Sequence, residues 1–284
     1  METWPVARKF TKRFVAGETL DEALAVCASL QGQGILATLD HLGESVTSLA
    51  QAAQSCASYM DALAKIYDSK LPATVSIKLT QFGLDLSEEV CLNNVRRLVA
   101  QAKTIGDRVE IDMESSAYTD RTLRMVSQLA EETGAVRSVI QAYLFRSAAD
   151  VDRLNQQRIP VRLVKGAYDE PTSVAYASKR EVDRNYVTLM KTLLDRGVNP
   201  AIGTHDENIV GEAFRYARER HIASDQFEFQ MLYGIRRNLQ QRIVDLGYRL
   251  RLYVPYGTEW YPYFMRRLAE RPANALFVLR NLFR

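Results

Sequence analysis

Eight short β-prone runs, separated by segments of helical periodicity, constrain the fold of this 284-residue chain more than any other feature. In one separating segment, Cys91, Val95, Leu98 and Val99 recur at the spacing of a helix face. The intervals between runs are too long for hairpins and fit βα units with a parallel sheet. The runs cover residues 34–40, 73–79, 108–113, 136–144, 159–166, 198–204, 226–231 and 249–254. Eight such units in about 250 residues predict an α/β protein with a (β/α)8 TIM-type barrel.

The barrel is predicted to form a single domain over residues 34–284, preceded by a helical extension over residues 1–33. No linker, low-complexity tract or short-period repeat divides the chain. The stretch Gly32-Gln-Gly34-Ile-Leu-Ala37 has the outline of a dinucleotide-binding loop, but it precedes its strand instead of leading from a strand into a helix. We therefore predict that it is a turn into the first strand.

Composition and charge narrow the class of protein and its partners. A net charge of +3, with 47% hydrophobic and 25% charged residues, is ordinary for a globular protein and does not predict a nucleic-acid partner. Cys27, Cys56 and Cys91 lie far apart without metal-ligand spacing, which indicates thiols in a reducing compartment. No apolar run approaches the roughly 18 residues of a membrane span. We expect a cytoplasmic protein, with peripheral contact at the inner face of the membrane left open.

Each predicted strand ends in polar or ionisable residues. Barrel enzymes place their chemistry at these C-terminal strand ends, whereas packing alone would favour branched aliphatic side chains there. The residues at the ends, in chain order, are Asp40, Lys78, Asp112, Glu114, Gln141, Tyr143, Arg162, Lys165, Thr204, His205, Glu228, Gln230 and Tyr253. Taken together they predict a candidate site at one end of the barrel.

A polar stripe near the C-terminus would add to this site. Tyr263, Arg266, Arg267 and Glu270 follow the i, i+3, i+4, i+7 spacing of one helix face. Two guanidiniums beside a tyrosine suit a small anion, although a solvated basic face has the same pattern. With Lys78 and Arg162 the stripe would give the excess of positive charge that stabilises a carboxylate or phosphate ligand.

The residues alone leave other functions open. His41, His205 and His221 do not predict a metal site, because His221 falls late in a helix. Lys78 or Lys165 could be the Schiff-base lysine of a barrel aldolase if its amine were desolvated. A non-enzymatic anion-binding barrel also fits the basic stripe.

Seven short motifs follow one another along the chain between residues 34 and 283. They are Val75-Ser-Ile-Lys78, Glu110-Ile-Asp-Met-Glu114, Val139-Ile-Gln-Ala-Tyr143, Arg162-Leu-Val-Lys-Gly-Ala-Tyr168, Gly203-Thr-His205, Phe227-Glu-Phe-Gln-Met-Leu-Tyr-Gly234 and Tyr263-x-x-Arg266-Arg267-x-x-Glu270. In this order they resemble the motifs of flavin-dependent proline dehydrogenases, and the length resembles the monofunctional bacterial enzymes.

The resemblance implies a distorted barrel that holds FAD at the strand C-termini without a Rossmann domain. It also implies oxidation of L-proline to Δ1-pyrroline-5-carboxylate by hydride transfer from C5 to flavin N5, with a quinone as the electron acceptor. This reaction is the first step of proline catabolism to glutamate. Transient membrane contact would follow from quinone use.

The same resemblance implies a role for individual residues. Lys78, Arg266 and Arg267 would hold the proline carboxylate, and Leu232, Tyr253 and Tyr263 would enclose the ring. Asp112 would be the acidic partner in the catalytic site, and Arg162 would lie near flavin N5. Contacts to the cofactor would come from Met113, Val139, Gln141, Arg162, Lys165, Gly166, Ala167, Thr204, His205 and Gln230. Tyr263 would crowd a 4-hydroxyl group, which predicts a preference for proline over hydroxyproline.

Overall fold

The computed structural model describes residues 13–43 and 46–260, and in them eight parallel strands close into a barrel in chain order. The strands are β1 (Leu36–His41), β2 (Ala73–Ile77), β3 (Val109–Ile111), β4 (Val136–Gln141), β5 (Val161–Val164), β6 (Ala201–Gly203), β7 (Glu228–Leu232) and β8 (Arg249–Tyr256). Each lies within or overlaps one of the eight predicted runs. The predicted (β/α)8 fold is therefore confirmed.

Helices alternate with the strands around the outside of the barrel. They are α1 (Leu20–Gln31), α2 (Leu49–Asp68), α3 (Glu88–Thr104), α4 (Thr119–Thr133), α5 (Ser147–Gln156), α6 (Lys179–Arg196), α7 (Glu207–Glu219) and α8 (Arg237–Asp245). The first three carry Cys27, Cys56 and Cys91 as buried free thiols. None of the helices in the described ranges is long and apolar enough to cross a bilayer.

The helix before β1 begins and ends at recognisable signals. Thr19 caps α1 in a capping box, in which its side chain accepts from the Glu22 N–H and the Glu22 side chain accepts from the Thr19 N–H. Gly32 follows the last residue of the helix, and Gly34 takes a left-handed φ of 72° before β1 starts. The stretch that resembles a dinucleotide loop is thus a helix-to-strand turn, as predicted.

The two faces of the strands carry different chemistry. Leu39, Val75, Ile77, Ile111 and Leu163 are fully buried within the hydrophobic core of the protein. The alternating positions Ser76, Glu110, Arg137, Arg162 and Glu228 are also buried, but they are polar or charged. Because successive strand residues point to opposite faces, the apolar set packs against the helices and the polar set fills the barrel interior. Branched aliphatic side chains usually dominate a barrel interior, so this polar filling is unusual.

The seam that closes the barrel is its longest strand pairing. β1 pairs with β8 over six residues, from Leu36 opposite Arg251 to His41 opposite Tyr256, whereas β1 pairs with β2 over three. The segment before α1 reinforces this seam, because the Ala16 N–H donates to the Pro255 carbonyl at 2.8 Å and the Gly257 N–H donates to the Gly17 carbonyl at 2.9 Å. The start of the described chain is therefore tied to the end of β8.

One predicted strand end is wrong. Glu228 is the first residue of β7, not one of its last. β7 continues to Leu232, which pairs with Tyr253 of β8. Glu228 therefore lies deep in the barrel, where it faces Arg137 and Arg251, and it does not reach the mouth.

Candidate active site

Asp112 is the centre of a hydrogen-bonded cluster at the C-terminal end of the barrel. It directly follows β3, and its Oδ2 accepts a 2.7 Å hydrogen bond from the Tyr253 hydroxyl. Its Oδ1 accepts a 2.7 Å hydrogen bond from Ser76 Oγ and an ion-paired hydrogen bond from Arg162 Nη2. Three strands, β2, β5 and β8, thus each direct one donor at a single carboxylate.

Lys78 joins this cluster to β1. The residue follows β2 directly, because the next residues, Leu79–Phe82, form a 3₁₀ helix that ends the strand. Its Nζ lies 3.0 Å from Asp40 Oδ1, 3.8 Å from Asp112 Oδ2 and 3.5 Å from the Tyr253 hydroxyl. Lys78, Tyr253, Asp112 and Arg162 were predicted from the sequence as site residues, and the structure brings all four together.

A second charged layer lies beneath this cluster. Arg162 Nη1 is 3.1 Å from Glu110 Oε2, so one guanidinium bridges the carboxylates of Glu110 and Asp112. Below it, Arg137 donates to Glu110 at 2.8 Å and to Glu228 at 2.5 Å, and Arg251 Nε donates to Glu228 at 3.0 Å. Buried ion pairs of this kind hold side chains in fixed positions when their hydrogen bonds are satisfied.

The charges in the barrel interior balance among the described residues. Asp40, Glu110, Asp112 and Glu228 oppose the four cations Lys78, Arg137, Arg162 and Arg251 in two connected layers. A ligand that brings one more negative charge to the mouth therefore needs a cation beyond these four.

The pKa directions follow from this packing. Burial alone favours the neutral acid at Asp112, but the charges of Arg162 and Lys78 outweigh it and hold the pKa of Asp112 below its ordinary value. Burial raises the pKa of Asp40 despite the nearby Lys78. Burial and the charge of Asp112 raise the pKa of Tyr253 well above its ordinary value, so this phenol stays protonated and donates.

Lys165, Thr204 and His205 line a neighbouring part of the mouth. Lys165 Nζ is ion-paired with Asp183 of α6 and, at 2.9 Å, with Asp206 at the start of α7. Thr204 Oγ1 accepts from the Asp206 N–H at 3.1 Å, which fixes the turn between β6 and α7. His205 Nε2 accepts from the Leu232 N–H at 2.8 Å. That bond links a residue predicted to contact the cofactor to one predicted to enclose the substrate.

Gly166 allows the chain to turn tightly after β5. Its φ is +121°, and a Cβ atom there would come 2.4 Å from the ring of Tyr143. Only glycine meets both demands. The backbone of Lys165, Gly166 and Ala167 can therefore pass close over this ring.

The other predicted cofactor contacts take two different positions. Met113, Val139 and Gln141 are buried near the ends of β3 and β4, and Gln141 Nε2 donates to the Glu114 carbonyl at 2.9 Å. Gln230 instead points into the lower layer: its Nε2 donates to Glu228 at 2.8 Å and its Oε1 accepts from Arg162 at 3.1 Å. It holds Arg162 from below.

Part of the predicted site lies outside the described residues. Tyr263, Arg266, Arg267 and Glu270 all follow residue 260, where the described range ends. Their predicted roles at the substrate remain predictions.

Several residues of the cluster were not predicted as site residues. Ser76 lies between Asp112 and Arg162, and Glu110, Arg137 and Arg251 form the layer beneath. Their signal in the sequence was charged or hydroxyl residues alternating with apolar ones within β-prone runs, as in Val75-Ser76-Ile77 and Val109-Glu110-Ile111. This alternation predicts which face of its own strand a side chain lies on, but it does not predict which residue of another strand the side chain contacts.

Known proteins with similar sequence or structure agree on one family. The family profile described as Proline dehydrogenase matches residues 23–280. Proline dehydrogenase 1 of Bacillus subtilis is 42% identical over 273 residues, which cover 96% of this chain and 90% of that protein. Proline dehydrogenase of Deinococcus radiodurans is 42% identical over 282 residues, with the same two coverages.

A solved structure supports the same assignment. Proline utilization A from Bdellovibrio bacteriovorus, in a crystal structure of the protein inactivated by N-propargylglycine, superposes with a TM-score of 0.86 at 29% identity. The match covers 92% of this chain and 32% of that longer protein. The barrel, the profile and the two bacterial relatives together establish that this chain belongs to the proline dehydrogenase family of oxidoreductases.

Proposed function

We propose that this protein oxidises L-proline to Δ1-pyrroline-5-carboxylate with FAD as cofactor and a quinone as the electron acceptor, as the first step of proline catabolism. The observation that carries the proposal is the cluster of Asp112, Arg162, Tyr253 and Lys78, whose side chains come from four strands and meet around Asp112 at the C-terminal end of the barrel. This is the face on which barrel enzymes act. Two relatives at 42% identity bear the name proline dehydrogenase.

The chemistry of the side chains at the mouth fits a flavin. Arg162 Nε is a buried donor with no hydrogen-bond partner in the described parts of the chain, so a ligand acceptor would satisfy it. FAD, when bound, supplies the acceptor for the hydride that leaves proline. Arg162 would hold it from the barrel side, and Lys165, Gly166, Ala167, Thr204 and His205 would hold it along the turns after β5 and β6.

The cluster would bind and orient proline through fixed hydrogen bonds. Asp112 is held by Ser76, Tyr253 and Arg162, so neither the carboxylate nor the Tyr253 ring can turn freely. Tyr253, Leu232 and Tyr263 would enclose the pyrrolidine ring. Orientation of a substrate in this way lowers the barrier to its reaction.

The charges around Lys78 indicate which residues would bind the proline carboxylate. Lys78 already lies beside Asp40 and Asp112, so it cannot by itself offset a further anion. Arg266 and Arg267 would supply the missing positive charge, as the resemblance implies. Arg266→Met should therefore raise KM for proline, by about tenfold or more, because a charge-assisted hydrogen bond contributes roughly 1.5–3 kcal/mol. An unchanged KM would remove Arg266 from this role.

A Schiff-base aldolase is less well supported. The mechanism needs an uncharged, desolvated amine, but Lys78 and Lys165 each lie in ion pairs with two carboxylates. Such contacts stabilise the ammonium form.

One set of measurements tests the proposal directly. The purified protein should show flavin absorbance between roughly 350 and 480 nm that bleaches on anaerobic addition of proline. Δ1-Pyrroline-5-carboxylate should accumulate as a soluble quinone is reduced. A colourless protein that neither binds added FAD nor consumes proline would contradict the proposal, whereas proline-dependent bleaching without quinone reduction would contradict the acceptor alone.

A further inference from the structure

A cavity of about 720 Å³ opens at the N-terminal ends of the barrel strands, on the face opposite the candidate active site. Thr74 and Arg251, which are almost fully buried, form its deepest part, and the exposed residues Lys70 and Lys103 lie at its rim. Its volume lies within the range of roughly 300–1,000 Å³ that small-molecule sites occupy.

The lining carries a clear excess of positive charge. Five basic side chains and one acidic side chain, Asp107, line the cavity among the described residues. Arg251 is neutralised by Glu228, and Arg249 donates to the Asp225 carbonyl at 3.0 Å and lies 3.7 Å from Glu228. Lys70, Lys103 and Arg108 then have Asp107 as the one carboxylate of the lining beside them, so an excess of positive charge remains.

Arg108 stands out among these cations. Its guanidinium forms no ion pair and no side-chain hydrogen bond with another residue in the described ranges, although the side chain is only partly exposed. Burial and the charges of Arg137 and Arg251 outweigh the opposite charges of Glu110 and Glu228 and lower the pKa of Arg108 to about 10. A partly buried cation that is repelled by two others is stabilised by any anion that binds beside it.

The lining of the cavity also holds polar atoms that have no hydrogen-bond partner in the described parts of the chain. Thr74 Oγ1 and Asp107 Oδ2 are buried and have no hydrogen-bond partner within residues 13–43 and 46–260. Thr74 is only 3% exposed, so bulk water does not readily solvate its hydroxyl. A hydroxyl and a guanidinium in one cavity form a donor pair that suits an oxyanion.

We propose that this cavity binds a small organic oxyanion, with a carboxylate or phosphate head group held by Arg108 and Thr74. The apolar part of the ligand would lie against Ile66, Leu71 and Ile105, which also line the cavity. Carboxylate and phosphate heads share the chemistry that these donors recognise. The site is separate from the proposed proline site and does not depend on it.

Calorimetric titration at constant ionic strength tests the site, with phenyl phosphate and benzoate as the two probes and phenol as the uncharged control. At least one of the two anions should bind saturably, while phenol should not. The head group that binds more tightly identifies the ligand class. Absence of saturable binding by both anions, or equal binding of phenol, would overturn the proposal.

Variants locate the binding. Arg108→Gln should lower the affinity for the anion about tenfold or more, which is the effect of losing one charge-assisted hydrogen bond. Arg218→Gln, at an exposed arginine of α7 that does not line this cavity, should leave the affinity for the anion unchanged. Undiminished affinity in Arg108→Gln, or equal losses in both variants, would contradict the assignment.

Two further variants keep the test decisive if Arg108→Gln does not fold. Thr74→Val removes the hydroxyl and leaves a side chain of similar shape, so it should fold and bind the anion more weakly. Asp107→Asn removes the one acidic group of the lining and should bind it more tightly. Proline oxidation should be retained in all of these variants, because none of the three positions contacts the mouth of the barrel. A lower affinity for the anion in Thr74→Val and a higher affinity in Asp107→Asn would support the site. Wild-type affinity in both variants would overturn it.

Discussion

The Tyr253 hydroxyl donates a 2.7 Å hydrogen bond to Asp112 Oδ2 and thereby ties β8 to the end of β3 across the mouth of the barrel. The two residues are 141 positions apart in the chain. Arg162 lies against the same pair, with its guanidinium 5.4 Å from the centre of the Tyr253 ring. This contact fixes the Tyr253 ring and the Asp112 carboxylate relative to each other.

Tyr253→Phe should lower kcat/KM for proline by about tenfold to a hundredfold, because Asp112 loses a donor that is worth about 1.5–3 kcal/mol when it bonds a charged group. Steady-state kinetics across a pH series checks this, since a carboxylate with one donor fewer should also titrate at higher pH. Tyr256→Phe is the matched control: Tyr256 is buried in the same strand and its hydroxyl has no hydrogen bond within the described residues. Equal losses in the two variants would contradict a specific role for Tyr253.

Ser76→Ala should lower kcat/KM about tenfold while leaving KM nearly unchanged. Ser76 Oγ donates to Asp112 at 2.7 Å and accepts from Arg162 at 3.2 Å, so its loss frees both groups to shift. Ser138→Ala provides the comparison, because Ser138 is equally buried and its Oγ has no partner in the described ranges. Removal of that unsatisfied group should be neutral or slightly stabilising. If the two alanine variants behave alike in turnover, Ser76 does not position the cluster.

Gly166→Ala should destabilise the protein by about 1–3 kcal/mol, through an unfavourable φ and a collision with Tyr143. It should also reduce the flavin retained on purification, because the turn after β5 would have to move. Thermal unfolding and the ratio of flavin absorbance to protein absorbance measure the two effects. Gly211→Ala in α7 meets no neighbouring atom within 4 Å and should stabilise by up to about 1 kcal/mol. Wild-type flavin content in Gly166→Ala would show that this turn does not hold the cofactor.

Glu228→Gln should destabilise the protein by about 3–5 kcal/mol, since it leaves Arg137 and Arg251 buried beside a neutral amide. Burial alone favours the protonated acid, but Arg251 and Arg137 hold the pKa of Glu228 well below its ordinary value. A group with a lowered pKa in the folded state contributes stability above its unfolded pKa, about 4.3 for Glu, and loses that contribution as the pH falls further.

Denaturant unfolding between pH 7 and pH 3 checks whether this stability is lost as the pH falls. The free energy of unfolding of the wild type should fall on acidification, and the difference from Glu228→Gln should narrow. Glu219→Gln, at an exposed glutamate of α7, should stay within about 0.5 kcal/mol of the wild type throughout. A difference that widens towards low pH would contradict the lowered pKa.

The sequence predicted the strands well because their signal is local. Apolar β-prone runs separated by helical segments are visible within a few residues, and eight of them leave few alternatives to a barrel. The ends of the strands are not a local signal, because they depend on pairing with other strands. β7 extends to Leu232 since Tyr253 pairs with it, and no residue near Glu228 indicates this.

Four of the predicted site residues lie together in the structure, but the sequence did not predict which of them contact each other. Lys78, Asp112, Arg162 and Tyr253 could be named from strand ends and motifs, and they do lie together. The sequence did not indicate that Arg162 bridges two layers of carboxylates or that Gln230 faces downward. Those arrangements depend on the tilt of the barrel and on side-chain rotamers, which bring residues from distant strands into contact.

The six-residue seam between β1 and β8 has a consequence for synthesis of the protein on the ribosome. The first strand has no partner on that side until the last strand has left the exit tunnel, some two hundred residues later in the chain. Contacts of such long sequence separation form slowly, so the nascent chain holds an open edge of β1 for most of translation. Chaperones that shield unpaired strands should therefore bind β1. They should dissociate from it when β8 emerges and pairs with it.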